Sequence, residues 1–114
     1  MDKQLTRQQR DKLFELGVPK EAASVSTFYI NNYREYWYYF TVTDLLEILP
    51  KEITVKENNH KTKLDISVID GLWCAAHKYI GFGGSVEYKK SKELIDALYE
   101  LLVWAIEAGY LKFE

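Results

Sequence analysis

The longest helical pattern of the chain lies near its C-terminal end, between Ser91 and Gly109. Hydrophobic residues recur there every three or four positions, which places them on one face of an α-helix. The stripe consists of Leu94, Leu98, Leu101, Ala105 and Ala108, widened by Ile95, Leu102 and Ile106. It is broader than a coiled-coil seam and therefore predicts a helix that packs on a sheet or on other helices. Ser91 is the expected N-cap, and Gly109 is expected to end the helix in a left-handed conformation.

Two shorter helices are indicated by capping boxes, in which two side chains three residues apart each accept a hydrogen bond from the other residue's backbone N–H. Thr6 and Gln9 form the first box, and a Gly-Val-Pro sequence ends that helix near Leu16. Thr41 and Asp44 form the second box, and a proline ends that helix after about two turns. The first helix has only a short apolar edge, so we expect it to be peripheral.

The remaining segments alternate in the way that is typical of β-strands. The predicted strands are Val25–Ile30, a second strand from Tyr33 or Arg34 to Phe40, and then Ile53–Lys56, Lys63–Ile69, Leu72–Ile80 and Val86–Lys89. Asn31-Asn32 and Asp70-Gly71 tolerate the positive φ angles of tight hairpin turns, so the strands that flank them are expected to pair antiparallel. The pattern predicts a single α+β domain over residues 1–114, with a mainly antiparallel sheet of four to six strands, the long C-terminal helix on one face, and two short helices.

The second predicted strand is unusual because both of its faces are aromatic. Tyr36, Tyr38 and Phe40 alternate with Trp37 and Tyr39. We expect one set to be core and the other only partly covered, because helices on one face of a sheet leave the opposite face open. An uncovered aromatic patch commonly marks an interface, so the strand predicts self-association or an unknown protein partner.

Composition narrows the class of protein. The chain has 114 residues, 47% of them hydrophobic and 28% charged, which suits one ordinary globular domain; its aromatic content of 15% is the outlier. A formal net charge of −2 argues against a general attraction to nucleic acid. A single cysteine excludes an internal disulfide, and neither an apolar leader nor a stretch of roughly 18 apolar residues is present. We therefore expect a cytoplasmic protein without a membrane partner.

Residues with reactive or metal-binding side chains do not form a recognisable set. Cys74 and His77 are spaced like half of a zinc site, but the sequence has one cysteine and two histidines, and zinc needs four ligands. On a strand, positions three apart point to opposite faces, so we expect Cys74 to be buried packing and His77 to be partly exposed. The glycines at 81, 83 and 84 lack the pattern of a phosphate-binding loop.

These observations predict no catalytic residue, no metal and no cofactor, and hence a protein that is not an enzyme. A small hydrolase is the least favoured alternative, because it would need distant carboxylates such as Asp44 and Glu100 to meet in the fold.

Two functions fit the aromatic strand. The first is a non-catalytic accessory or protein-interaction role. The second, less favoured, is binding of single-stranded nucleic acid, in which bases stack on tyrosines beside the lysines at 89, 90 and 92. Stacking platforms normally pair their rings with a basic groove, whereas few cations accompany these rings. The predicted binding residues are Tyr36, Trp37, Tyr38, Tyr39, Lys89 and Lys90.

Two segments carry a resemblance to other proteins, FTVTDLLEILPKEI from Phe40 and KELIDALYELLVWAIEAGYLK from Lys92. Their order resembles that in small uncharacterised proteins of prophages and other mobile elements of gut bacteria. In that group a capped Leu-rich turn ending in Leu-Pro precedes the strands, and a closing helix ends in Gly-Tyr-Leu or Gly-Tyr-Ile. The resemblance covers roughly Phe40 to Lys112. It implies a phage-related origin and brings no known activity.

Overall fold

A computed structural model describes residues Lys3 to Phe113. The helices are α1 (Arg7–Glu15), α2 (Val42–Ile48) and α3 (Leu94–Glu107), and a 3-10 turn spans Lys20–Ala22. The strands are β1 (Ser24–Ile30), β2 (Tyr33–Tyr39), β3 (Glu52–Thr54), β4 (Lys61–Ile69), β5 (Leu72–Tyr79) and β6 (Ser85–Ser91). Every strand pairing is antiparallel, which confirms the predicted α+β class. The six strands are divided between two sheets, a β1-β2 hairpin and a β3-β4-β5-β6 meander.

Both predicted tight turns are confirmed by their backbone angles. Asn31 and Asn32 have φ angles of 51° and 69°, and Asp70 and Gly71 have φ angles of 52° and 79°. Two successive positive φ angles define the type I′ turn, whose twist matches that of the strands it joins. The turns therefore fix the register of β1 with β2 and of β4 with β5.

Helix α3 packs on β5 and β6 and forms the centre of the core. Leu98, Leu101 and Leu102 are completely buried, and Ala75 of β5 lies beneath them in the same cluster. The small alanine allows the helix to approach the sheet closely. The predicted sheet-facing stripe is thereby confirmed.

The two ends of α3 differ in how well the sequence predicted them. At the C-terminal end Gly109 has a φ angle of 83°, and the Tyr110 N–H donates to the Ala105 carbonyl at 2.8 Å, as a Schellman closure requires. At the N-terminal end the prediction of Ser91 as N-cap is wrong, because Ser91 is the last residue of β6 and Glu93 is the N-cap. Pairing of Ser91 with Trp73 holds its backbone in the sheet.

Helix α1 lies at the periphery, as expected, and contributes one fully buried side chain to the core. Leu13 is completely buried, and Leu5 just before the helix is 5% exposed. The Leu5 N–H donates to the Phe40 carbonyl at 3.0 Å, which attaches the N-terminal segment beside α2. Both predicted capping boxes, at Thr6 and at Thr41, are present.

The α3 core predicts a large effect for Leu98→Ala. Removing a fully buried leucine leaves a cavity, so the free energy of unfolding should fall by about 2–5 kcal/mol. Urea denaturation followed by circular dichroism measures this change. Glu100→Ala on the exposed face of the same helix is the control and should alter stability by no more than about 0.5 kcal/mol. Equal denaturation midpoints for Leu98→Ala and wild type would contradict the placement of α3.

Candidate interaction surface

The β1-β2 hairpin, residues 24–39, projects from the rest of the protein, and we call it the arm. All of β1 except Ser24 is exposed, as is all of β2 except Tyr38 and Tyr39. The molecule measures 58 × 35 × 18 Å and has a radius of gyration of 15.9 Å. A compact domain of this length would have a radius of gyration of about 13 Å. The arm thus makes the protein elongated and presents most of its own surface to solvent.

Neither face of the arm is core, so the expectation that one face would be buried is wrong. Tyr29 is 65% exposed, Tyr36 53% and Trp37 43%, and these rings are distributed over both faces. The reason is that α3 already covers the inner face of the meander, while the arm forms a separate sheet with no helix across it. The predicted exposed aromatic surface is present, and it is larger than a single face.

The base of the arm is held by contacts with α1 and α2. The Arg10 guanidinium lies 5.0 Å from the centre of the Trp37 ring and donates a hydrogen bond to the Tyr38 carbonyl at 3.3 Å. The Phe14 ring packs edge-on against Tyr38, with 6.4 Å between ring centres. The Ser24 hydroxyl donates to the Asp44 carboxylate at 2.8 Å, and Asp44 also caps α2. These contacts set the direction of the arm and leave its tip free.

The two long edges of the arm are unequal. In a hairpin with a two-residue turn, the residues flanking the turn share a hydrogen-bonded pair, and such pairs then alternate along the ladder. The backbone groups of Val25, Thr27 and Tyr29 therefore point outward from β1. No protein hydrogen bond reaches these groups within residues 3–113. On the β2 edge, by contrast, the Tyr38 carbonyl accepts from Arg10.

The predicted lysines lie in a different sheet from the aromatic run. Lys89 and Lys90 are adjacent in β6, opposite Ala75 and Cys74, so their side chains point to opposite faces of the meander. Lys89 lines a groove with residues of α3, whereas the Lys90 ammonium lies 5.7 Å from the centre of the Tyr88 ring. The structure therefore unites Tyr36, Trp37, Tyr38 and Tyr39 in the arm and places Lys89 and Lys90 elsewhere.

Cys74 and His77 are both buried in β5. Cys74 is 3% exposed, as predicted, but the expectation of a partly exposed His77 is wrong because its exposure is 0%. Strand β5 is central in the meander, and α3 covers the face that carries His77. The Thr62 hydroxyl lies 3.0 Å from His77 Nδ1. Burial lowers the pKa of His77, and the backbone of Pro50 offsets only part of this effect.

Residues 3–113 contain no group of three or more His, Cys, Asp or Glu side chains that could hold a metal ion. None of the helices described in that range is long and apolar enough to cross a membrane. Comparisons with family models, with curated proteins and with solved structures find no match to this chain. The geometry of the arm is therefore the observation from which a function can be argued.

The buried His77 predicts that stability falls in mild acid. Above the usual histidine pKa of about 6.5 both states are neutral at this residue, and its contribution to stability is complete. Below that pH the unfolded chain binds a proton at His77. The folded protein binds this proton only when the pH falls to the lowered pKa of the buried residue. The free energy of unfolding should then decrease by up to about 1.4 kcal/mol per pH unit.

Urea denaturation at about pH 7.5 and at about pH 5.5 measures this loss, because one condition lies on each side of the unfolded histidine pKa. His77→Gln should reduce the difference between the two conditions, whereas His60→Gln, at an exposed position, should retain it. An unchanged difference in folded His77→Gln would contradict the role of His77.

Proposed function

We propose that this chain is a non-catalytic protein-interaction protein whose binding element is the arm. The observation that carries the proposal is the exposure of aromatic rings on both faces of a two-stranded sheet. More than half of the exposed large hydrophobic side chains in residues 3–113 belong to this one hairpin. In the arm these residues are Val25, Phe28, Tyr29, Ile30, Tyr33, Tyr36 and Trp37.

The area of this surface fits an interface. A buried aromatic side chain contributes about 150–250 Å², so the exposed fractions of the five rings and two aliphatic side chains correspond to on the order of 700 Å². Each partner in a standard protein interface contributes about 800 Å². This area is divided between the two faces of the arm, and exposed apolar patches of a few hundred Å² are often functional.

The mechanical properties of the arm also support binding. A two-stranded hairpin is at best marginally stable in water by itself, and the arm is held by other elements only at its base. Covering its faces with a partner would remove apolar surface from water and order the tip at the same time. Tyrosine and tryptophan suit this role because a rigid ring with a polar atom loses little conformational entropy on binding.

The alternative, binding of single-stranded nucleic acid, has less support. Such a site needs cations beside its stacking rings, and Lys89 and Lys90 lie in the other sheet on opposite faces of β6. Within the arm, Arg34 is the one cation, and its guanidinium donates to the Tyr29 hydroxyl at 3.2 Å. At the base of the arm, Arg10 and Lys20 lie 5.0 Å and 5.3 Å from the ring centres of Trp37 and Tyr38, away from the exposed tip. A phage-related origin, a cytoplasmic location and the absence of catalysis stay predictions.

Cross-linking at the tip of the arm tests the proposed function. A photoreactive phenylalanine analogue at Tyr33, the most exposed ring of the arm at 73%, is introduced in the cells that make the protein. Illumination should give an adduct of discrete mass, because the tip lies in the proposed interface. Mass spectrometry of the adduct identifies the attached chain.

The matched control carries the same analogue at Tyr88, a ring on the meander that is 55% exposed. It should give no comparable adduct, because exposure alone does not create an interface. Equal adducts at both positions, no adduct at Tyr33, or an adduct removed by nuclease would each contradict the proposal.

A further inference from the structure

Strand β1 has an edge without the usual protection against pairing with another strand. Exposed edges are normally blunted by charge, by proline or by shortness. Of the other edge strands, β3 has only three residues, β6 carries Glu87, Lys89 and Lys90, and β2 carries Arg34 and Glu35. The seven residues of β1, SVSTFYI, contain no charge, no proline and no glycine. They are also rich in β-branched and aromatic residues, which favour strands.

The outward backbone groups of β1 are complementary to themselves. The three outward residues, Val25, Thr27 and Tyr29, are evenly spaced, with Thr27 in the middle. Two identical strands that pair antiparallel are related by a twofold axis perpendicular to the sheet. With that axis at Thr27, each Thr27 faces the other, and each Val25 faces Tyr29 of the second copy. All three outward residues then exchange both backbone hydrogen bonds. If the register moves by two residues, one of the three outward residues in each copy no longer faces an outward residue of the other copy.

We propose that the occupant of the β1 edge is a second copy of this chain, joined by antiparallel β1 strands centred on Thr27. The inference rests on the proposed function and names the partner of the β1 edge, while the rings on the two faces of the arm lie beside this seam. The two hairpins form one continuous four-stranded sheet. Because the strands run antiparallel, the two bodies lie at opposite ends of this sheet.

The side chains agree with this arrangement. Ser26 lies beside Phe28 of the second copy, Ser24 beside Ile30, and no charged residue faces another across the seam. Pairing also relieves the marginal stability of a lone hairpin, because three or more strands with a hydrophobic face are needed for independent stability. The β2 edge is less suited to the same pairing, since Arg10 already occupies the Tyr38 carbonyl and Arg34 adds charge.

The expected affinity of the dimer follows from the surface area that it buries. Standard interfaces bury more than roughly 1,200 Å² of total surface area. Edge pairing of two seven-residue strands buries less than this. We therefore expect a weak dimer whose population rises with protein concentration. Sedimentation velocity over a concentration series measures this population directly.

Charge at position 27 tests the register, because Thr27 faces its own copy only in this pairing. Thr27→Lys and Thr27→Glu each place like charges opposite one another, and each variant alone should dimerise about tenfold more weakly than wild type or worse. An equimolar mixture places Lys opposite Glu and should restore dimerisation at the same total concentration. Circular dichroism verifies that both variants are folded.

The matched controls are Tyr88→Lys and Tyr88→Glu, which put the same charges on an exposed strand residue of the meander. Tyr88 lies outside the arm, so each control should dimerise like wild type. Loss of dimerisation in the controls as much as in the Thr27 variants would overturn the β1 edge as the interface.

The remaining outcomes separate this inference from the proposed function. A wild-type chain that is monomeric at every concentration, or Thr27 variants that dimerise like wild type, would overturn the inference. So would a mixture that stays monomeric. If Tyr33 still cross-links to a different protein, the proposed function stands and only the identity of the partner is wrong. If no adduct forms either, both are wrong.

Discussion

Burial of Phe40 is the interaction on which the rest of the structure depends. This residue is completely buried and directly follows β2, so the chain passes from an exposed strand into the core within one peptide unit. Its ring lies 5.4 Å from that of Phe14, and its carbonyl accepts from Leu5. The next residue, Thr41, caps α2. Residues 40 and 41 thereby join α1, α2 and the base of the arm, while the arm itself lies outside the core.

The local structure could be predicted from the sequence because it depends on neighbouring residues. The Asn31-Asn32 turn and the Thr41 capping box need only a few consecutive side chains, and both are present. The predictions failed where burial depends on elements that are distant in the sequence. The alternating residues of β2 show that both of its faces are aromatic, but they do not show which element covers each face. Burial of His77 depends on α3, which lies across β5. The separation of Lys89 from Lys90 was foreseeable, since adjacent residues on a strand point to opposite faces.

The arm combines features that proteins usually keep apart. Its rings supply apolar contact area, its β1 edge supplies unpaired backbone groups, and its base is directed by Arg10 and Asp44. An uncharged free edge is a liability for aggregation unless a specific partner occupies it. Under the proposed pairing a second copy would occupy this edge, and assembly would stop at a closed dimer because each β1 has one free edge. A twofold axis uses the same surface of both copies, so the assembly closes at two chains.

Amide hydrogen exchange resolved by NMR tests most directly the central claim that the β1 edge is free in the monomer and occupied in the assembly. In dilute protein the N–H groups of Val25, Thr27 and Tyr29 should exchange fast, while that of Phe28, which points to β2, should exchange more slowly. At high concentration the three outward amides should become protected together. Protection of these amides in the dilute monomer, or fast exchange that concentration does not change, would contradict the account.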